Sequence, residues 1–328
     1  MDVGKTIVVT GATGFIGSNL LAGLEAAGYG HIVCIDSFGT GQKWRNVAAR
    51  SLVQFVLPQQ GFAWLRRHAD ELGAIVHLGA VSSTTETDVD LIVQTNVQLT
   101  MRLYSFCQKH QLPFIYASSA ATYGAGEHGY DDRDDVEYLS QLRPLNAYGW
   151  SKNTVDKLIF STHLHHQVVG LKFFNVYGPN EYHKGEQAST AWHFYNQLVQ
   201  QGEARLFRSY LSECADGEQK RDFVYVADCV KVILWMLDHP GVSGLFNVGS
   251  GTPRSFNDMA RLVAEHAAAA CKIRYIDMPP ILRPRYQYFT QANITKLRRA
   301  GYSAAMTTLD EGVALYVRHF LRETNQYI

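Results

Sequence analysis

Three glycines set three residues apart, in Gly11-Ala-Thr-Gly14-Phe-Ile-Gly17, constrain this chain more than any other feature. An apolar run at 6–10 precedes them, and an apolar pattern with helical spacing follows at 16–27. Strand, glycine turn and helix in that order mark a loop that holds a dinucleotide. The first glycine permits a tight turn, the second lets backbone approach a pyrophosphate, and the third lets helix pack closely on sheet. The helix N-terminus then offers unpaired N–H groups and the positive end of its dipole to the phosphates. The spacing here is G-x-x-G-x-x-G, one residue longer than G-x-G-x-x-G.

The rhythm continues downstream. Short apolar runs at 31–36, 52–57, 75–78, 114–118 and 168–173 read as strands, several almost wholly apolar, as strands covered on both faces are. Helical patterns lie between them at 61–71, 91–109 and 148–163. Such alternation predicts an α/β fold with a doubly wound, parallel, Rossmann-like sheet and right-handed crossovers. After Phe174 the pattern weakens into polar stretches at 178–190 and 208–221. A helix is expected at 189–201, a strand at 222–226, a strand and turn through 246–251, and a helix at 256–269. A last helix fits 308–321, where Thr308 with Glu311 forms a capping-box pattern. The expected division is a dinucleotide-binding domain over 1–172, completed by part of 222–252. A smaller C-terminal α/β substrate-binding region over 173–328 faces it across a cleft. Residues 211–219 read as a polar elaboration suited to a flap over that cleft.

Composition removes several classes. The 328 residues suffice for one large domain or two sharing a core. Lys plus Arg and Asp plus Glu both number 30, so no basic excess points to nucleic acid. Cys34, Cys107, Cys214, Cys229 and Cys271 are odd in number and widely spaced, which fits a reducing compartment better than a disulfide framework. No apolar run reaches the roughly 18 residues a membrane span needs, and the first strand begins too early for a signal peptide. A cytoplasmic protein with no membrane or nucleic-acid partner is expected. His163, His165 and His166 lack carboxylates at ligand spacing, so no metal is expected.

Asp36 ends the second strand 19 residues past Gly17, where an acid can bond ribose hydroxyls and favour NAD. Lys43, with Arg45 beyond it, stands in the next loop, where a cation suits the 2′-phosphate of NADP. The small residues of His77-Leu-Gly-Ala80 suit close passage of a dinucleotide, with Leu78, Gly79 and Ala80 the candidates. Asn96 could bond backbone near that ligand or cap a local turn.

Tyr148 and Lys152 carry the chemistry. Four apart on a helix, they share a face. A free phenol has a pKa of about 10, too high for a base at neutral pH. A neighbouring ammonium and a positive nicotinamide ring are expected to lower it. Tyr148 then takes a hydroxyl proton as hydride leaves, and returns it on reduction. Ser118 and Ser119 end the fifth strand, and either could hydrogen-bond the reacting oxygen.

Together the glycine loop, the serine and Tyr-x-x-x-Lys resemble the extended short-chain dehydrogenase/reductase superfamily, the NAD-dependent epimerases and dehydratases. The likeness runs over nearly the whole chain. It narrows at Ser82-Ser-Thr-Thr-Glu86, Ala117-Ser-Ser-Ala-Ala-Thr-Tyr123, Phe174-Asn-Val-Tyr-Gly-Pro179, His183-Lys-Gly185, Lys220-Arg-Asp-Phe-Val-Tyr225 and Arg285-Tyr-Gln-Tyr-Phe-Thr-Gln291. These segments resemble the ADP-glycero-manno-heptose 6-epimerase family. The resemblance implies a redox-neutral inversion: oxidation at C6, a ketone, and re-reduction on the opposite face. It implies one tightly bound NADP per subunit, with NAD the alternative, and self-association into a homo-oligomer. It assigns acid/base roles to Tyr148 and Lys184, with Lys152 and Ser119 assisting. It places Thr13, Phe15, Ile16 and Ser37 with the three glycines, Asp36 and Lys43 at the cofactor. It places Ser82, Asn175, His193, Arg221, Arg285 and Tyr286 at the nucleotide sugar. Ser37 departs from that family's Asn after the strand-end acid, which leaves the 2′-phosphate preference open.

A 4,6-dehydratase needs an acid and a base where this chain has Ala120 and Ala121. A UDP-hexose 4-epimerase shares Ser, Tyr and Lys but has no use for Lys184 in its context. A non-catalytic dinucleotide sensor would not need an intact Tyr-x-x-x-Lys.

Overall fold

The computed structural model describes residues 4–51, 54–162, 167–280, 282–283 and 286–328. β1 (Thr6–Thr10) leads into α1 (Phe15–Ala26), followed by β2 (Ile32–Ile35), β3 (Gln54–Val56), α2 (Pro58–Arg67) and β4 (Leu72–His77). Next come α3 (Val89–Ile92), α4 (Leu99–His110), β5 (Phe114–Ser119), α5 (Val136–Gln141), α6 (Ala147–Phe160) and β6 (Val168–Phe173). The chain continues through β7 (Asn175–Tyr177), α7 (Thr190–Gln201), β8 (Ala204–Phe207), β9 (Lys220–Arg221), β10 (Phe223–Tyr225) and α8 (Val226–Asp238). It closes with β11 (Gly244–Val248), β12 (Arg254–Ser255), α9 (Phe256–Ala267), β13 (Ile273–Ile276), α10 (Thr295–Arg299) and α11 (Leu309–Tyr316).

Seven strands form the central sheet in the order β11-β6-β5-β4-β1-β2-β3, and every pairing is parallel. From β1 the chain winds outward through β2 and β3, then returns to β4 and winds the other way. That reversal opens a crevice beyond the C-terminal ends of β1 and β4, where ligands bind in such sheets. The strands are apolar on both sides because helices cover both. Leu20, Leu21 and Leu24 of α1 pack with Cys229, Ile233 and Met236 of α8 on one face. Trp64, Leu65, Leu103, Cys107, Val155 and Ile159 from α2, α4 and α6 cover the other. A third core joins Phe194 and Leu198 of α7, Met259 and Val263 of α9, and Val313 and Tyr316 of α11.

Local chemistry sets the element ends. Asn146 caps α6 by accepting from the Gly149 amide, so Tyr148 falls in the first helical turn. Ser189 caps α7 in the same way, and Thr308 with Glu311 forms the expected capping box on α11. Other boundaries differ from the sequence expectation. The 61–71 helix starts at Pro58, whose fixed φ suits a first helical position, and ends at Arg67. The 91–109 helix begins earlier, at α3, and is interrupted by a wide π turn over Val93–Gln98 that carries Asn96. The 222–226 strand shortens to β10 because Val226 already starts α8. Leu52 and Val53 of the expected third strand, and His163, His165 and His166, lie outside the described residues. Among the described residues, no group of His, Cys, Asp and Glu could hold a metal, and no helix is long and apolar enough to cross a membrane.

Candidate active site

A cleft of about 810 Å³ opens at the crevice and is walled by both parts of the chain. Gly11, Gly14, Phe15, Ile16 and Gly17 form its floor with Leu78, Gly79 and Ala80 from the turn after β4. Backbone crowding explains the glycines. Gly11 has φ +65, and a Cβ on it would stand 2.6 Å from Gly79 Cα. A Cβ on Gly17 would overlap the Gly11 carbonyl oxygen. No side chain caps α1, so its first amides face the cleft with the helix dipole behind them. This cradle fits the pyrophosphate of a nicotinamide dinucleotide.

At the rim, the Asp36 carboxylate accepts from the Thr13 amide (2.9 Å), the Thr13 hydroxyl (2.6 Å) and the Ser37 amide (2.7 Å). Lys43 closes an ion pair with it at 3.1 Å and also donates to the Ser37 carbonyl. Asp36 and Lys43 both line the cleft, whereas Thr13 is buried behind them. His183 lines it too, its imidazole pushed down to about 4 by burial and by Lys43 and Lys184.

Asn96 does not line the cleft. It is buried, with its amide bonded to both backbone groups of Val81 and to the Ser151 hydroxyl, and so ties the turn after β4 to α6. His77 beneath that turn bridges the hydroxyls of Thr10 (2.6 Å) and Thr100 (2.9 Å).

The opposite wall holds Ser119, Tyr148 and Lys152. The two serines separate cleanly: Ser118 donates its hydroxyl to buried Asp156 (2.7 Å), while Ser119 interacts with the Tyr148 phenol. The expectation that Lys152 draws the Tyr148 pKa down is corrected. Burial pushes the phenol up, with the Ser119 hydrogen bond pulling the other way. The reason is where the ammonium points. Lys152 Nζ donates to the Ala117 carbonyl at 2.8 Å and stands 5.9 Å from the Tyr148 ring centroid. Burial pushes Lys152 itself down to about 8, against the pull of Asp156.

The third wall comes from the C-terminal part. Lys184 reaches the cleft 5.6 Å from the Phe15 ring centroid, pushed down by burial and held up by Glu181. Glu181 is buried and accepts from the Gly178 amide and from the amide and hydroxyl of Ser189. Arg221 presents a buried guanidinium between the rings of Phe256 (5.5 Å) and Tyr286 (5.1 Å). It donates to the carbonyls of Lys220 and Gln287, and burial pulls its pKa down. Asn175 and Ser82 line the same cleft. Tyr286 stands behind Arg221, His193 sits half-buried near the Glu186 carbonyl, and Arg285 lies outside the described residues. Ser189, Thr190 and Phe256 line the cleft without having been singled out in the sequence, where an ordinary helix start and a lone aromatic give no signal. The 211–219 segment is anchored at its far end, where Asn257 bonds the Asp216 carbonyl and the Glu218 carboxylate.

A sequence model of the NAD dependent epimerase/dehydratase family matches residues 7–249. The chain is 44% identical over 324 residues to the ADP-L-glycero-D-manno-heptose-6-epimerase of Nitratidesulfovibrio vulgaris, covering 98% of this chain and 99% of that one. It is 43% identical to the enzyme of the same name from Fusobacterium nucleatum, covering 98% of this chain and 100% of the relative. Among solved structures, the Helicobacter pylori ADP-L-glycero-D-manno-heptose-6-epimerase superposes with a TM-score of 0.79 at 28% identity, covering 97% and 98% of the two chains. The Thermus thermophilus UDP-glucose 4-epimerase in complex with NAD shares the fold, with a TM-score of 0.76 at 24% identity and 96% and 98% coverage.

Proposed function

Because this chain belongs to the NAD dependent epimerase/dehydratase family, we propose that it inverts C6 of an ADP-linked manno-heptose. The observation that carries this reading is that Tyr148 and Lys184, two groups able to move protons, enter one cleft from different walls. The relatives' names support the choice of sugar, and the three-walled cleft supports a nucleotide sugar bound beside a dinucleotide.

A nicotinamide dinucleotide held here would supply reversible hydride transfer at C6. Gly11, Gly14, Phe15, Ile16 and Gly17 would hold its pyrophosphate, with Leu78, Gly79 and Ala80 beneath and Asp36 and Lys43 at the adenosine ribose, beside Ser37, whose amide bonds Asp36. NADP is the proposed form, because Thr13, Ser37 and Lys43 already occupy Asp36 while Lys43 brings a cation to the rim. Ser119 holds the reacting oxygen and Tyr148 takes its proton, leaving a ketone at C6. Lys152 fixes the end of β5 through the Ala117 carbonyl and keeps a positive charge behind the phenol. Lys184 moves the proton when C6 is re-reduced on its other face. Asn175 and Arg221 hold the diphosphate; a guanidinium suits paired phosphate oxygens. Ser82, His193, Arg285 and Tyr286 belong to the sugar-nucleotide end of the same assignment, and the working form is a cytoplasmic homo-oligomer.

Two measurements test this. Pure protein is incubated with the ADP-heptose and, separately, with UDP-galactose, and stereochemistry is followed by NMR. Inversion of the heptose, lost in Tyr148→Phe and in Lys184→Ala while each retains a half-reaction on one stereoisomer, is the expected result. Full epimerase activity in Lys184→Ala would sink the two-sided mechanism. Mass spectrometry of the released dinucleotide reads its 2′-phosphate, and Lys43→Ala should weaken NADP binding while sparing NAD.

A further inference from the structure

A buried charge pair lies directly behind the Tyr148–Lys152 wall and has no part in the chemistry above. Asp156 follows Lys152 by four residues and Tyr148 by eight on α6, so all three lie along one face. Its carboxylate is fully buried and accepts from three donors on two strands: Tyr116 Oη (2.8 Å) and Ser118 Oγ (2.7 Å) of β5, and Lys172 Nζ of β6 (2.7 Å). Lys172 is equally buried and also donates to Thr122 Oγ1 at 2.8 Å. Thr122 in turn donates to the Ser119 carbonyl at 2.8 Å. A continuous chain of bonds therefore runs from Asp156 through Lys172 and Thr122 to Ser119, while Ser118 is drawn away from the cleft.

We infer that Asp156, balanced by Lys172, is a positioning residue that sets the geometry and the local charge at Ser119, Tyr148 and Lys152. The pair does so without touching substrate. Its effect on charge is directional: Asp156 holds the Lys152 ammonium up against burial and also disfavours the Tyr148 phenolate. Asp156 also faces Tyr116 on β5 and Tyr123 after it, and Lys152 faces His77 on β4, all withdrawn from water. Burial holds His77 neutral, down to about 3, so it does not compensate for a lost charge.

The inference rests on the reaction proposed for Tyr148, Lys152 and Ser119, but its test does not require the sugar. Full-length protein carrying its dinucleotide is labelled with ¹³C-lysine, and the Lys152 resonance is assigned by its loss in Lys152→Arg. Asp156→Asn keeps an acceptor for Tyr116 and Ser118 but deletes the charge, so Lys152 should titrate about one pH unit lower. Lys172→Gln leaves Asp156 unopposed and should move the same titration up. The double variant restores neutrality and should return it towards the wild-type position, with kcat recovering relative to either single variant and KM for the sugar nucleotide little changed throughout. Opposite shifts that cancel in the double variant support the inference, and if Asp156→Asn does not fold, Lys172→Gln and the double variant still decide it. Unmoved titrations, or shifts of the same sign in both single variants, overturn it. Absence of epimerase activity in the wild type would instead sink the proposed reaction and leave the lysine titrations standing.

Discussion

Replacing Gly17 with alanine should cripple dinucleotide binding, whereas the same change at Gly30 should not. A Cβ on Gly17 overlaps the Gly11 carbonyl oxygen and stands 2.8 Å from Ala12 Cα and 2.9 Å from the Gly11 carbonyl carbon. All three are backbone atoms, so relief requires α1 to move off the loop. Overpacking of this kind costs about 1–3 kcal/mol. Alanine's better helix propensity returns at most about 1 kcal/mol. A displaced α1 also misaims its N-terminal amides, and a hydrogen bond to a charged phosphate is worth about 1.5–3 kcal/mol. Losing one such bond weakens binding about 10–100-fold. At Gly14 a Cβ would meet the Gly11 carbonyl oxygen at 3.1 Å, so Gly14→Ala should fall between the two extremes. A Cβ on Gly30 finds nothing within 4 Å, and Gly30→Ala should be neutral or stabilising by up to about 1 kcal/mol. Titration calorimetry with NADP and NAD on stripped protein, alongside urea unfolding, measures both effects. Wild-type affinity in Gly17→Ala would refute the close-approach argument.

Ser119→Ala should lower kcat about 10–100-fold through the lost bond at the reacting oxygen. Ser118→Ala should instead cost about 1–3 kcal/mol of stability, because it strips a donor from buried Asp156; steady-state kinetics and urea unfolding separate the two. His77 is held neutral down to about 3, so below pH 6.5 the unfolded chain takes up a proton that the native chain refuses. Falling pH therefore favours unfolding, by about 2 kcal/mol between pH 6.5 and 5, and His77→Gln should flatten that part of the profile in urea titrations. Arg221→Lys should raise KM for the sugar nucleotide more than it lowers kcat, since an ammonium cannot fill the flat slot between Phe256 and Tyr286.

The sheet was readable because parallel strands covered on both faces are nearly continuous apolar runs, and β1, β5 and β6 carry no competing pattern. Tyr148 and Lys152 were readable because helical spacing fixes their shared face. What spacing does not give is where a long side chain ends. Lys152 points to the Ala117 carbonyl on a strand 35 residues earlier, and burial rather than the ammonium then sets the phenol. Lys43 pairs with Asp36, so two residues that read as rival votes on the cofactor form one ion pair. The choice between Ser118 and Ser119 needed Asp156, which reads from sequence as one more polar helix position. Asn96 was expected to bond backbone near the cofactor or to cap a local turn; it grips both backbone groups of Val81 from within a π turn that no periodicity announces.

Epimerisation by transient oxidation requires the hydrogen on C6 to leave and return without exchanging with water. The direct test is to run the reaction in D₂O with the ADP-heptose and examine C6 by NMR and mass spectrometry. Inversion at C6 with its original hydrogen retained is the predicted result. Deuterium incorporated at C6 during inversion would mean that carbon had been deprotonated instead, and would contradict the mechanism.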